Sequence, residues 1–324
     1  MHVIRYHETG SPDVLRWEEV DVPRPGVGEV LLANKAIGTG LKETGERQGT
    51  YPCPPLPAIP GIAAAATVLE IGAEVTQLKR GDRVAYATLP AGSYSEQRVL
   101  PADRVVPLPD DIDDRTAAAV INKGITANFL ARETYRIRPG DIVLVHAAAG
   151  GVGLLLCQWA RHMGATVIGT VSTDAKAAVA AENGCNYPVV YTKVDFVESV
   201  RKITNGMGVP VVYDSVGKDT FTKSLECLQP RGMMVLYGIA SGHPPPLELM
   251  KLDIWKAWYF TRPSFYVHTR SRDDLLAHAA AVFEMIRSGA VKVTISEQYP
   301  LRDAAEAHRS LESRRSTGSI ILLT

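Results

Sequence analysis

Asp141-Ile-Val-Leu-Val-His-Ala-Ala-Ala-Gly-Gly-Val-Gly153, continued by Leu-Leu-Leu-Cys-Gln-Trp-Ala-Arg-His-Met-Gly164, decides how this chain folds. Ile142 to Val145 is a continuous β-favouring apolar run and reads as a short buried strand. The second half reads as a helix closed by Gly164, a residue suited to a left-handed cap. Between them, Ala148-x-Gly150-x-x-Gly153 fits the dinucleotide fingerprint, with alanine in place of its first glycine. Gly150 lets backbone approach a pyrophosphate, and Gly153 lets helix and strand pack closely. The helix N-terminus offers free N–H groups and the positive end of its dipole to phosphates. The same glycine spacing also occurs in plain tight turns, so its meaning depends on the surrounding chain.

Outward from this stretch, composition sets bounds. At 324 residues the chain is long enough for two domains with separate cores. Charge balances at 35 basic against 35 acidic residues, which gives nucleic acid no electrostatic target. Cys53, Cys157, Cys185 and Cys227 lie far apart, which suits neither a disulfide framework nor a zinc knuckle. The N-terminus has no apolar signal core, and no apolar run reaches the length of a membrane span. The expectation is a soluble, cytoplasmic protein with no membrane partner.

Residues 1 to about 120 look β-rich. Glu29–Ala33, Thr67–Ile71 and Asp82–Tyr86 are short strand-like runs between Gly/Pro turns. Tyr51-Pro-Cys-Pro-Pro-Leu-Pro-Ala-Ile-Pro-Gly61 is an ordered loop or extended segment. A small barrel or sandwich fits this part. Helices are expected over Asp114–Val120 and Thr126–Thr134. Beyond them strands and helices alternate. Strands are expected at 165–171, 188–191, 210–214, 233–237 and 257–260, with helices at 175–182, 196–204 and 220–228. Such alternation means a doubly wound parallel sheet with helices on both faces. The tail reads helix 273–287, strand 294–299, helix 303–314 and strand 319–323, and is expected to return to the N-terminal domain. A substrate cleft between the two domains follows from that arrangement.

NAD-preferring enzymes usually carry a carboxylate at the end of the second strand, on the ribose 2′-hydroxyl. Here that strand ends Gly169-Thr-Val-Ser172, and Lys176 follows one helical turn later. Lysine suits a 2′-phosphate, which a carboxylate would repel. Asp174 lies between them and has solvent or a helix cap as its alternatives. A solvated helix residue is the bland reading of Lys176.

Several stretches then become familiar together. They are His146–Gly153 with Cys157-Gln-Trp-Ala160, Lys123-Gly-Ile-Thr126, Val212-Tyr-Asp-Ser-Val-Gly217, Thr261-Arg-Pro263, and Glu312-Ser-Arg314 with Thr317-Gly318. In this combination, over nearly the whole length, the chain resembles the NADPH-dependent quinone oxidoreductases. These are zeta-crystallin-like, zinc-free members of the medium-chain dehydrogenase/reductase superfamily. The resemblance implies a GroES-like catalytic domain at 1–122 and 262–324, a Rossmann NADPH-binding domain at 123–261, and a homodimer. Carried over by position, a 2′-phosphate clamp falls on Ser172, Lys176, Tyr191 and Arg314. A pyrophosphate loop falls on Gly150, Gly151 and Val152. Nicotinamide-side contacts fall on Thr126, on Tyr237, Gly238 and Ser241, and on Phe260, Thr261 and Arg262; Ser215 joins the cofactor-binding set.

Zinc-dependent relatives supply cysteine in the early loop, a Gly-His-Glu motif and a four-cysteine lobe. Here the loop Gly38–Thr44 has no cysteine or histidine, the second motif is Gly61-Ile62-Ala63, and the lobe is missing, so no metal is expected. The chain also departs from its own family. The usual Asn-Phe-Ile-Asp and nearby Tyr become Gly40-Leu41-Lys42-Glu43 and Gly45. The acidic residue after Gly61 becomes Ala63, and a Gly-Asn pair becomes Gly238-Ile239. Donors left for a substrate oxygen are Tyr51, Tyr94 and Lys123, around a pocket shaped by Gly40 and Gly45. The leading expectation is metal-free hydride transfer from NADPH to quinones. The alternatives are an enone or 2-alkenal reductase and an NADPH-binding protein with low turnover.

Overall fold

The computed structural model describes residues 1–324. It divides into two compact units: Met1–Ile125 with Thr269–Arg287 and Val293–Thr324, and Thr126–His268 with Ser288–Lys292. No helix is long and apolar enough to cross a membrane.

In chain order, the first unit opens with β1 (His2–Arg5), β2 (Arg16–Glu19), β3 (Glu29–Gly38), α1 (Leu41–Gln48) and β4 (Ala63–Ile71). β5 (Arg83–Ala87), β6 (Gln97–Pro101), β7 (Val105–Pro107) and α2 (Asp114–Phe129) follow. Ala63 to Ala66 pair with β3 on one side and β5 on the other, and all four are buried. Their small side chains suit a strand enclosed by neighbours, and Val30, Leu32, Ile37, Val84, Tyr86 and Leu100 supply the bulk of that core.

The second unit holds β8 (Ile142–Val145), α3 (Gly151–His162), β9 (Thr166–Val171), α4 (Asp174–Glu182), β10 (Tyr187–Val190) and α5 (Phe196–Ile203). It continues through β11 (Val209–Asp214), α6 (Phe221–Glu226), β12 (Leu228–Leu236), β13 (Tyr259–Thr261) and α7 (Phe265–His268). Its six strands run in the order β10-β9-β8-β11-β12-β13, every pair parallel. Val143, Leu144, Val145, Val211, Val212 and Tyr213 are fully buried, as continuous apolar runs in a sheet covered on both faces require. The order reverses direction between β8 and β11. That switch point is where a doubly wound sheet opens a crevice at its carboxyl edge.

The tail adds α8 (Arg272–Arg287), β14 (Ile295–Pro300), α9 (Ala304–Glu312) and β15 (Ser319–Leu323). β15 lies antiparallel to β3, with Leu322 opposite Ile37, and parallel to β14. This completes a seven-stranded sheet with β14-β15-β3-β4-β5-β7 in sequence and β6 on β3. The architecture is therefore α/β: a Rossmann parallel sheet plus a GroES-like, β-rich unit.

Two sequence expectations need correction. The two helices expected at 114–120 and 126–134 are one continuous α2, extended by a π-helical turn over Leu130–Thr134. Gly124 does not break it. A Cβ there would lie 2.7 Å from Val282 Cγ1, so the glycine serves close packing against α8. The stretch after Gly38 is not a loop throughout: from Leu41 it is α1, capped by Gly40 and ended by Gly49 at φ 79°. Its hidden residues are Glu43, Thr44, Gly45, Glu46 and Arg47, so no apolar periodicity announces it.

Candidate dinucleotide and substrate sites

The turn between β8 and α3 is built on close backbone approach. Gly150 caps α3, and Leu154 N–H donates to its carbonyl at 2.9 Å. A Cβ on Gly153 would lie 2.2 Å from the Ala147 carbonyl oxygen and 2.9 Å from Ala148 Cα, so only glycine fits. Ala147 bears the positive φ of the turn, 51°. Ala148 stands where the fingerprint has its first glycine, and β9 makes the room. A Cβ on Gly169 would lie 2.6 Å from Ala148 Cβ and 2.6 Å from Cys185 Sγ. The first N–H groups of α3, at Gly151 and Val152, have no earlier helical turn to bond, which makes the loop a cradle for anionic oxygen.

At the carboxyl edge of β9 and β10, three expected residues come together. Val190 pairs with Val171, Tyr191 N–H donates to the Val171 carbonyl at 3.1 Å, and Thr192 Oγ1 donates to the Ser172 carbonyl at 2.9 Å. Ser172 and exposed Tyr191 thereby flank the start of α4. Thr173 caps that helix by accepting from Lys176 N–H at 3.3 Å. Lys176 is half-buried, and that desolvation holds its amine below the ordinary lysine value. Asp174 is ion-paired to Lys193 at 2.5 Å, on the exposed side. The carboxylate that complicated the sequence reading is engaged elsewhere.

Across the switch point, Tyr237 to Ser241 is laced to the end of β11. Tyr237 N–H donates to Asp214 O, Ala240 N–H to Ser215 O, and Ser241 Oγ to Val216 O at 2.8, 3.0 and 2.8 Å. Gly238 has no room for a Cβ, which would lie 2.8 Å from Ser215 O. Asp214, missed from sequence, accepts from Val216 N–H, Gly217 N–H and Thr220 Oγ1 at 2.7, 3.0 and 2.8 Å and holds this turn. Phe260 and Thr261 end β13, and Arg262 follows, exposed. His146 is a core residue. Its nitrogens bond Thr170 Oγ1 and Ser224 Oγ, both at 2.8 Å, and burial lowers its pKa, so it stays neutral.

The first unit holds the remaining candidates. Gly45 lacks a side chain because the Tyr51 ring fills that space, with Cδ2 2.3 Å from where a Cβ would stand. Tyr94 is fully buried and its hydroxyl bonds His308 Nε2 at 3.1 Å, so it belongs to the core and is no substrate donor. Lys123, on α2, donates to Ser319 Oγ at 3.0 Å. Glu43 and Arg47 were not singled out from sequence as site residues. Arg47 is fully buried and binds Gly10 O and Glu312. Arg314 sits exposed in the turn after α9 at φ 55°. A zinc site does not fit at 61–63: Ile62 and Ala63 are buried and apolar, and a Cβ on Gly61 would strike Ser93 Oγ at 2.2 Å. Cys53 Sγ lies 3.7 Å from Tyr6 Oη.

Residues 26–110 match the alcohol dehydrogenase GroES-like domain, and residues 151–271 the zinc-binding dehydrogenase family. The quinone oxidoreductase of Pseudomonas aeruginosa is 43% identical, over 99% of this chain and 98% of that one. The chain belongs to the quinone oxidoreductase family. A solved structure in this family, Escherichia coli quinone oxidoreductase complexed with NADPH, superposes with a TM-score of 0.98 at 42% identity, covering all of both chains. A 2-haloacrylate reductase from Burkholderia sp is also 43% identical, over 98% of this chain and 97% of its own.

The alanine-for-glycine exchange in the family's fingerprint yields a test. Gly169→Ala should lower thermal stability, by about 1–3 kcal/mol, through overpacking against Ala148 and Cys185. Adding Ala148→Gly should restore part of the loss. A Tm equal to wild type for the single variant would mean that β9 accommodates both methyl groups.

Proposed function

We propose that this chain reduces quinones with NADPH by hydride transfer and uses no metal. One observation carries the cofactor choice. The carboxyl end of β9 presents Ser172 and half-buried Lys176, while Asp174, between them in the chain, is ion-paired to Lys193. A 2′-phosphate there meets a lysine in place of the carboxylate that would repel it. Tyr191 flanks the same edge, and the family resemblance adds Arg314. Gly150, Gly151 and Val152 hold the pyrophosphate at the α3 N-terminus. Thr126, Ser215, Tyr237, Gly238, Ser241, Phe260, Thr261 and Arg262 form the remaining cofactor set. When bound, NADPH supplies the hydride; the protein supplies orientation, dryness and charge stabilisation. Tyr51 and Lys123 are the donors offered to the oxygen that gains negative charge, each worth up to about 10²–10³ in rate if well placed.

A second reading, reduction of an activated alkene, is favoured by the 2-haloacrylate reductase relative. It uses the same hydride geometry on a carbon–carbon double bond. A low-turnover NADPH binder is the third, prompted by Gly40, Ala63 and Ile239 standing where the family has polar residues. NADPH oxidation with 1,4-benzoquinone, a large naphthoquinone and a short enal ranks these. Faster turnover of the quinones is expected. Preference for the enal would favour the alkene reading, and tight NADPH binding without oxidation would favour the binder.

The finer assembly proposed is a homodimer. β13 ends its sheet with one free edge, and Met250, Ile254 and Trp255, in the segment that leads into it, are 97%, 81% and 84% exposed. A free sheet edge preceded in the chain by exposed apolar side chains suits a second copy.

Two variants test these assignments. Lys176→Ala should raise the NADPH dissociation constant about 10-fold or more, in keeping with loss of a charge-assisted hydrogen bond, and leave NADH binding nearly unchanged. Equal losses for both cofactors would remove the phosphate role. Trp255→Glu should shift sedimentation from dimer to monomer. A wild-type sample sedimenting as a monomer would end the dimer proposal.

A further inference from the structure

Five side chains of the second unit form one chain of hydrogen bonds at the carboxyl ends of the parallel strands. They are Thr170 on β9, His146 after β8, Ser224 and Thr220 on and before α6, and Asp214 at the end of β11. Thr170, His146, Ser224 and Asp214 are buried. Their proton positions follow from the partners. Ser224 Oγ donates to the Thr220 carbonyl at 2.8 Å, so towards His146 it accepts, and the imidazole carries its proton on Nε2. The neutral ring leaves Nδ1 bare, and Thr170 Oγ1 donates to it at 2.8 Å. Thr220 Oγ1 donates to Asp214 Oδ2 at 2.8 Å. Every proton points the same way, from β9 through the imidazole and α6 to the carboxylate. Hydrogen bonds aligned in this way polarise one another.

The two ends of this chain serve different parts of the cofactor set. At one end, the Thr170 carbonyl accepts from Ala148 N–H, in the glycine turn, at 3.1 Å, and Ser172 follows two residues later. At the other end, Asp214 Oδ1 accepts from Val216 and Gly217 N–H at 2.7 and 3.0 Å. Ser215 lies inside that turn, and its carbonyl accepts from Ala240 N–H at 3.0 Å, beside Gly238. Packing alone does not call for an imidazole between them. His146 meets Phe196 edge to face, with centroids 5.0 Å apart, and a leucine would fill the same space. A leucine would also leave Thr170 Oγ1 without its acceptor and Ser224 Oγ without its donor.

We propose that His146 is a positioning residue for the cofactor, its Nδ1 holding the strand end on the phosphate side and its Nε2 the turn on the nicotinamide side. This rests on the NADPH reading of the site. His146 itself touches no reacting atom.

The two arms can be cut one at a time. Asparagine can offer a carbonyl oxygen to Thr170 in place of Nδ1, and glutamine can offer an N–H to Ser224 in place of Nε2. Two binding readouts separate the halves. The dissociation constant of adenosine 2′,5′-bisphosphate reports the phosphate side, and the affinity that NADPH gains over it reports the nicotinamide side. His146→Gln should weaken adenosine 2′,5′-bisphosphate about 10-fold and reduce the nicotinamide gain less. His146→Asn should do the reverse and lower kcat with 1,4-benzoquinone about 10-fold, since small misplacements are costly at the reacting end. His146→Leu should show both losses. Thr170→Val and Ser224→Ala leave the imidazole in place and should reproduce the glutamine and asparagine patterns in turn. They decide the matter even where a His146 variant does not fold. Equal losses in both arms that follow Tm would reduce His146 to a packing residue and overturn the proposal, as would wild-type binding in Thr170→Val and Ser224→Ala. A wild-type protein that binds neither ligand overturns the NADPH reading itself. One that binds both and reduces no quinone overturns the quinone reading, while the binding comparison still decides the role of His146.

Discussion

The structure depends on how closely the chain after β8 returns on itself before entering α3. Gly153 presses against the Ala147 carbonyl, and no side chain fits between. That contact sets the distance between helix and sheet, and so the direction in which the first N–H groups of α3 point. The carboxyl edges of β9, β10, β11 and β12 then present their turns on the same side of the sheet, since all six strands are parallel. Ser172, Tyr191, Ser215 and Gly238 owe their common edge to strand direction alone. Lys176 reaches it because Thr173 caps α4 one turn earlier.

The parallel sheet was legible in the sequence because buried parallel strands are written as uninterrupted Val/Ile/Leu runs between helices of ordinary amphipathic length. β8 begins and ends where its apolar run does. The places of the residues proposed for the phosphates were legible for a related reason: they follow strands, at spacings that backbone geometry imposes. The middle of α2 was less so. A glycine inside a helix reads as a break, and only the position of Val282 on α8 reveals it as a packing site.

Helix α1 was the least legible element. Its sequence, Leu-Lys-Glu-Thr-Gly-Glu-Arg-Gln, has one apolar residue, and that one is 44% exposed. The helix is held by polar links, Arg47 to Glu312 and Gly10, which join residues far apart in the chain. Hydrophobic periodicity cannot register such an element. Tyr94 misled in the opposite sense. A tyrosine in a Gly/Ser-rich stretch looks available, but the fold spends its hydroxyl on His308, a partner 214 positions away.

Tyr51 and Gly45 show what positional comparison leaves out. In this chain the Tyr51 ring lies where a side chain on residue 45 would begin, with Cδ2 2.3 Å from the place of a Cβ, and the glycine is what admits it. Positions 45 and 51 thus share one space. Libraries that recombine early segments among these enzymes should therefore keep residues 45 and 51 on the same fragment.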